Sequence, residues 1–186
     1  ELIDWFALLT EVAPELPFYF YDIPGMTGVS LDTAEFLRKA REQIPSLAGV
    51  KFTNPDQDLL RECIRVEDGA FDLLYGTDEK LVEGLEIGCR GAVGSSYNFA
   101  ANLYHPLIEA HKAGNHEKAG MWQDRSIRTI DTLQPHGYLP AAKTVMEMIG
   151  VPCGPPRPPL QELNKEEKTK VRMELESLGF FSWISE

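Results

Sequence analysis

The feature that most constrains the fold is an alternation of short apolar strands with amphipathic helices across the first hundred residues. Strands are predicted at residues 17–23, 47–52, 71–75 and 91–95. Helical patterns fill the intervals, and successive strands begin about 20–30 residues apart. Strands joined in this way run parallel, because a tight hairpin connects only antiparallel strands. The alternation therefore predicts an α/β fold built on a parallel sheet.

Prolines and capping residues set the predicted helix boundaries in this region. The first helix, from Leu2 to Val12, ends before Pro14. Ser30 is predicted to cap the helix at residues 31–43, since a serine side chain can accept a bond from a free helical N–H. Further helices are predicted at residues 55–66 and 78–87.

The alternation stops after the fourth strand. Residues 98–150 have helical patterns throughout, and a proline-rich connector follows at residues 151–159. Asn164 and Glu167 have the spacing of a capping box, in which each side chain binds the other's backbone N–H. That last helix is predicted to end at Leu178, before Gly179. The pattern thus predicts helices beyond the fourth strand.

Composition excludes some classes of partner. The chain has 18 Lys and Arg against 29 Asp and Glu, a formal net charge of −11. A nucleic-acid surface needs clustered basic residues, and a membrane span needs about 18 consecutive apolar residues; neither is present in the sequence. The three cysteines, Cys63, Cys89 and Cys153, are too scattered for a disulfide framework or a zinc site. Reduced cysteines are typical of the cytoplasm, which is the predicted location.

Polar residues at the carboxyl ends of the strands are the candidate functional residues, because sites of parallel α/β proteins form at that edge. Lys51 ends an apolar strand, and a half-buried lysine loses hydration, which favours the neutral amine. A neutral amine can attack a ketone and form a Schiff base. Tyr21 ends the aromatic strand, where alternation places it on one face with Tyr19 and on the opposite face from Asp22. Its phenol could relay a proton, although a surface lysine and a core tyrosine are the plainer interpretations.

Two further strand ends carry polar or small residues. Asp78 and Glu79 either stabilise a helix N-terminus or bind substrate hydroxyls. Gly94 and Ser95 either allow close packing of a strand on a helix or let the backbone approach a polar ligand.

Four blocks of sequence carry a resemblance to a known family. They are Tyr21-Asp-Ile-Pro24, Gly49-Val-Lys-Phe-Thr53, Gly76-Thr-Asp-Glu79 and Gly91-Ala-Val-Gly-Ser-Ser-Tyr-Asn98. In order and spacing they resemble the N-acetylneuraminate lyase family, which belongs with dihydrodipicolinate synthase and related pyruvate-dependent aldolases. The Gly-Ser-Ser-Tyr-Asn98 block and the connector from Gly154 to Leu160 are similar to the animal members of the sialic acid branch.

The resemblance implies a (β/α)8 TIM barrel of which this chain is the C-terminal portion, with strands five to eight in a sheet-containing part at residues 1–110, followed by the family's helical extension at residues 111–186. It implies retro-aldol cleavage of N-acetylneuraminate to N-acetylmannosamine and pyruvate. Lys51 is implied to be the Schiff-base lysine and Tyr21 the proton relay. The positions implied to contact or shape the sugar site are Thr53, Gly76, Asp78, Glu79, Gly94 and Ser95. No metal or other dissociable cofactor is implied, and the family is usually a homotetramer.

The chain also departs from the family pattern. The Gly-Thr-Thr-Gly-Glu-like segment that binds the substrate carboxylate is absent, as are strands one to four. Because the chain opens within a helix at Glu1, we expect a missing half and weak or no activity from these residues alone. Asp22 stands where animal members usually carry His, a departure that bears on substrate preference or pocket charge. The alternatives are a truncated isoform with an interaction or regulatory role, and a related aldolase for another 2-keto acid.

Overall fold

The computed structural model describes residues 1–185, and their contacts divide the chain into two compact units. We call them the sheet unit, Glu1–Thr77 with Glu83–Val93, and the helical unit, Asp78–Val82 with the residues from Gly94 onward. This division follows contacts within the chain, and the family boundary expected at residue 110 stays a prediction.

The sheet unit contains a four-stranded parallel sheet in the order β1-β2-β3-β4, which confirms the predicted α/β class. Successive strands are neighbours, so the sheet grows in one direction along the chain. All four predicted strands are present, although the last is shorter than expected. Their bounds are Phe18–Asp22 for β1, Leu47–Phe52 for β2, Asp72–Tyr75 for β3 and Gly91–Ala92 for β4.

Helices connect these strands and cover one face of the sheet. The core is formed by apolar side chains of the connecting helices packed on Val50, Phe52 and Leu73 of the strands. Burial of this apolar surface is the main favourable contribution to the unit's stability. The helices are α1 (Leu2–Glu11), α2 (Pro24–Thr27), α3 (Thr33–Ala40), α4 (Gln57–Arg65) and α5 (Leu81–Ile87).

One predicted cap in this unit is wrong. Ser30 was expected to cap the helix after β1, whereas α3 begins at Thr33 with Asp32 as its N-cap. The Asp32 carboxylate accepts a 2.8 Å hydrogen bond from the backbone N–H of Glu35. Residues 28–32 are irregular rather than helical, so Ser30 lies too early in the chain to reach a free helical N–H.

The helical unit confirms the prediction of helices beyond the fourth strand. Asn164 and Glu167 form the predicted capping box, and Gly179 ends that helix with a positive φ of 89°. Glycine adopts this left-handed conformation without the penalty that a Cβ imposes. The helices are α6 (Tyr97–Lys112), α7 (His116–Leu133), α8 (Tyr138–Met148), α9 (Lys165–Leu178) and α10 (Phe180–Trp183). None of the helices within residues 1–185 is long and apolar enough to cross a membrane.

Candidate active site

Strand register brings Lys51 and Tyr21 together. The two residues are direct partners in the parallel pairing of β1 with β2. Their side chains leave the same face of the sheet, and the Lys51 Nζ atom lies over the Tyr21 ring, 4.1 Å from its centroid. The Tyr21 side chain is 43% exposed, and Lys51 is half-buried. The proton-relay role of Tyr21 and the plainer interpretation as a core aromatic both stay predictions.

The opposite face of the same strand confirms the predicted alternation. Asp22 is buried, and its carboxylate accepts hydrogen bonds from the hydroxyl of Thr33 at 2.8 Å and the side-chain amide of Asn54 at 3.1 Å. These bonds offset the cost of burying a carboxylate. Asp22 therefore ties the end of β1 to α3 and to the loop after β2, on the face away from Lys51.

Thr53 and Gly76 also lie together at this edge of the sheet. The backbone pairing continues past the strand ends, since Thr53 N–H donates to the Asp22 carbonyl and Gly76 N–H to the Phe52 carbonyl, each at 2.8 Å. A Cβ on residue 76 would lie 1.9 Å from the Thr53 hydroxyl oxygen, so only glycine fits there. The Thr53 hydroxyl is buried and has no hydrogen-bond partner among the described residues. Buried polar groups are rarely left unpaired, and those that are call for a ligand, a water or a functional role.

In the helical unit, the Asp78 carboxylate is 5% exposed and bonded within the protein. Its Oδ2 atom accepts hydrogen bonds from the backbone N–H of Ser96, at 3.0 Å, and from the Ser96 hydroxyl. Asp78 thus binds the start of α6 rather than capping the turn that it begins. Gly94 packs directly against this carboxylate, because a Cβ there would lie 1.5 Å from the Asp78 Oδ1 atom.

Glu79 and Ser95 lie beside these buried residues and are more accessible. Glu79 is partly exposed and Ser95 is exposed. The Ser95 hydroxyl donates a 2.9 Å hydrogen bond to the hydroxyl of Tyr138, at the first position of α8. Burial raises the pKa of Tyr138, so this phenol stays neutral at ordinary pH.

Sequence reasoning missed the residues that hold Asp78 in place. The Ser96 hydroxyl meets the Tyr104 hydroxyl at 2.5 Å, and Tyr104 meets the Ser126 hydroxyl at 3.0 Å. The amide of Gln123 donates to the Asp78 carbonyl at 3.0 Å and to Ser126 at 3.3 Å. We call these five residues the polar ring. Gln123 and Ser126 were detectable as polar residues on the buried face of α7, which otherwise carries Ala, Trp, Thr, Ile and Leu side chains.

Neither the acidic side chains nor the cysteines of the described residues form a metal centre. Within residues 1–185, no group of three or more His, Cys, Asp or Glu side chains is arranged to hold a metal ion. Cys63, Cys89 and Cys153 are all free thiols. Burial raises the pKa of Cys63 and of Cys89 to about 12, so both stay protonated at neutral pH.

Comparison with known proteins identifies the family. The sequence model that describes the dihydrodipicolinate synthetase family matches residues 1–178 of this chain. The chain therefore belongs to this family. Its structure is the C-terminal portion of the family's TIM barrel with the helical extension, as the family resemblance implied.

Individual relatives point to one branch of that family. The chain is 36% identical over 184 residues to N-acetylneuraminate lyase of Mus musculus, and 38% identical over 181 residues to that of Gallus gallus. These matches take in 97% and 96% of this chain but 58% and 59% of the relatives. The chain thus spans under two thirds of the length of the curated relatives it matches.

Solved structures agree with the sequence relatives. The N-acetylneuraminate lyase of Proteus mirabilis superposes with a TM-score of 0.91 at 37% identity, over 96% of this chain and 60% of that one. The enzyme of Aliivibrio salmonicida gives the same TM-score and identity, over 96% and 59%. A dihydrodipicolinate synthase from Cyanidioschyzon merolae is more distant, with a TM-score of 0.81 at 26% identity.

Proposed function

We propose that the protein is a class I aldolase that cleaves N-acetylneuraminate to N-acetylmannosamine and pyruvate. The observation that carries the proposal is the pairing of Lys51 with Tyr21 on the open face of the sheet. An amine and a phenol side by side supply the nucleophile and the proton acceptor that a Schiff-base aldolase requires. The relatives named N-acetylneuraminate lyase support the choice of substrate.

The proposed chemistry begins at the Lys51 amine. The neutral amine attacks the C2 ketone of the open-chain sugar acid, and loss of water leaves a protonated imine. As the C3–C4 bond breaks, the bonding electrons pass to the imine as an enamine. Tyr21 relays the C4 hydroxyl proton, since its phenolic oxygen accepts that proton while its own proton passes to the enamine carbon. Protonation of the enamine carbon and hydrolysis of the resulting imine release pyruvate and restore the free lysine.

The remaining predicted residues are proposed to recognise the sugar portion. Glu79 and Ser95 carry accessible polar side chains, which can bind hydroxyl groups directly. Thr53, Gly76, Asp78 and Gly94 are proposed to shape the site. Their contacts support this division, since a side chain at either glycine would displace a neighbouring polar group.

We also propose a cytoplasmic homotetramer acting in carbohydrate metabolism. The location is supported by three free, dispersed cysteines, and the assembly by the family resemblance. Sedimentation velocity on the purified protein tests the assembly, and a monomer would contradict it.

Covalent trapping tests the proposed function. Because these residues alone are expected to be weakly active at most, the trapping and the rate measurements below use the full-length protein that contains them. Pyruvate and sodium borohydride should reduce the imine to a stable amine on Lys51, which peptide mass mapping would locate. Lys51→Met should abolish the label, whereas Lys39→Met, at an exposed lysine paired with Glu35, should leave it unchanged. Labelling at another lysine, or no labelling, would contradict the assignment of Lys51.

A second candidate is an aldolase of the same mechanism that acts on another 2-keto acid. It is favoured by the family match, which is not confined to the sialic acid branch; Asp22 does not bear on this choice, because its buried carboxylate lies on the face away from Lys51. Competition between N-acetylneuraminate and other 2-keto acids in the cleavage assay separates the two. A higher kcat/KM for another acid would replace the proposed substrate while keeping the chemistry at Lys51.

A further inference from the structure

The polar ring of Asp78, Ser96, Tyr104, Gln123 and Ser126 joins three parts of the helical unit. Asp78 begins the short turn Asp78–Lys80, Ser96 and Tyr104 belong to the start and middle of α6, and Gln123 and Ser126 lie on α7. Every member is buried, so the hydrogen bonds replace contacts with water that the folded chain does not allow. A partly satisfied network of this kind would be costly, which makes each member dependent on the others.

Gln123 has a particular role in the ring because its amide binds backbone at two points. The Nε2 atom donates to the Asp78 carbonyl, and the Oε1 atom accepts from the Val82 N–H, each at 3.0 Å. The Gln123 side chain therefore satisfies one backbone carbonyl and one backbone N–H of the segment from residue 78 to residue 82, as the backbone of a neighbouring strand would. This fixes the backbone that carries Glu79.

The Asp78 side chain then links that segment to the start of α6. Its Oδ2 atom accepts from the Ser96 N–H, and Gly94 lies against its Oδ1 atom. The two segments proposed to recognise the sugar, residues 78–79 and 94–95, are thereby tied to each other within one unit.

The exposure of neighbouring residues follows a common pattern in the two segments. Each segment places one residue in the ring and leaves the adjacent polar residue accessible. Asp78 is buried beside the partly exposed Glu79, and Ser96 is buried beside the exposed Ser95. A network needed only for stability would not require an accessible polar residue beside both Asp78 and Ser96.

We propose that Gln123 is a positioning residue for sugar recognition, acting through the polar ring to hold Glu79 and Ser95 at a fixed separation. The inference rests on the proposed function. It assigns the specificity of the enzyme for its sugar substrate to the polar ring. The ligand chemistry is a chain of vicinal hydroxyls, whose spacing is matched by two polar groups only when both are held rigidly. Gln123 touches no reacting atom, so its loss affects recognition and leaves the covalent step at Lys51 intact.

Gln123→Leu, which keeps the volume and removes both bonds, tests the proposal. We expect the KM for N-acetylneuraminate to rise about tenfold, the factor that corresponds to losing one or two hydrogen bonds. Borohydride trapping of pyruvate on Lys51 should proceed at the wild-type rate. Thr144→Val is the matched control, because the buried Thr144 hydroxyl bonds only to the Pro140 carbonyl of its own helix. The control should leave KM unchanged.

Amide hydrogen exchange supplies a readout that does not depend on activity. In Gln123→Leu the peptides covering residues 78–82 and 94–97 should exchange faster than in Thr144→Val. A tenfold rise in KM confined to Gln123→Leu, with faster exchange in both peptides, supports the proposal. Equal KM values for the two variants would overturn it. If the wild type traps no pyruvate, the proposed function fails by itself, and unchanged exchange in either peptide would then overturn the positioning role.

Discussion

The two units hold their candidate site residues by different means. In the sheet unit, strand register places Lys51 beside Tyr21, and both side chains remain at least partly accessible. In the helical unit, Asp78 and Ser96 are held by buried side-chain hydrogen bonds. A lysine that forms and breaks a covalent bond needs freedom of its long side chain, whereas groups that recognise hydroxyls gain from a fixed geometry. The comparison supports our proposal that the covalent chemistry belongs to the sheet unit and that direct recognition of the sugar hydroxyls belongs to the helical unit.

The largest effect is expected from Lys51→Met, which removes the covalent step. The cleavage rate should fall by about a thousandfold or more, since loss of a nucleophile removes the intermediate. Measurement of pyruvate release, with circular dichroism as a check on folding, tests this. Lys39→Met is the control and should retain the wild-type rate. A Lys51→Met variant with more than about a tenth of the wild-type rate would break the assignment of chemistry to the sheet unit.

Tyr21→Phe should have the next largest effect. Removal of a positioned proton acceptor costs about a hundredfold to ten-thousandfold in rate, while imine formation with pyruvate should continue. Tyr19→Phe is the matched control on the same face of β1, where the Tyr19 hydroxyl donates to Asp72 at 3.0 Å. We expect the control to cleave at nearly the wild-type rate. Equal loss in both variants would show that packing of the aromatic face, and not proton transfer, is what Tyr21 provides.

Much of the sheet unit could be predicted because its signals are local. A period of two places Tyr21 and Asp22 on opposite faces of β1, and the structure confirms that placement. Strand-to-helix alternation likewise fixes parallel pairing, and parallel pairing brings Lys51 beside Tyr21. The error at Ser30 has a local cause, because Asp32, two residues later, is an equally good capping residue and local propensity does not separate the two.

The polar ring could not be predicted, because its partners are distant in sequence. Gln123 binds the carbonyl of a residue 45 positions earlier, and no local pattern encodes which buried groups meet. The sequence shows only that α7 carries polar residues on its buried face. The bond of the Asp78 carboxylate to Ser96, 18 positions later, is likewise beyond what a local capping pattern can indicate.

Gly94→Ala sharpens the comparison by disturbing the helical unit without removing a functional group. The added methyl would overlap the Asp78 carboxylate, so we expect a loss of about 1–3 kcal/mol in the free energy of unfolding. Gly120→Ala is the control on α7, where an added Cβ meets nothing within 4 Å. It should stabilise the protein by about 0.5–1 kcal/mol, because alanine favours the helix. Denaturant titration measures both, and equal effects would contradict the close packing at Gly94.

The smallest effect is expected from Tyr104→Phe, which removes one hydroxyl of the polar ring. At neutral pH the free energy of unfolding should fall by about 1 kcal/mol. Burial raises the pKa of Tyr104 well above its usual range, more than its bonds to Ser126 and Ser96 lower it. The folded state therefore keeps a proton that the unfolded state loses above about pH 10. This stabilising contribution is present below that pH and is lost as the pH rises towards the folded pKa.

The slope of the free energy of unfolding against pH distinguishes Tyr104→Phe from the wild type. Each such group contributes about −1.4 kcal/mol per pH unit between its unfolded and folded pKa. Above pH 10 the free energy of unfolding of Tyr104→Phe should therefore fall less steeply with pH than that of the wild type. The difference in slope corresponds to about one bound proton. Thr144→Val removes a buried hydroxyl that does not titrate, so it should keep the wild-type slope. Parallel slopes for all three proteins would mean that Tyr104 is reached by water, and the ring would then no longer explain how the helical unit holds Asp78.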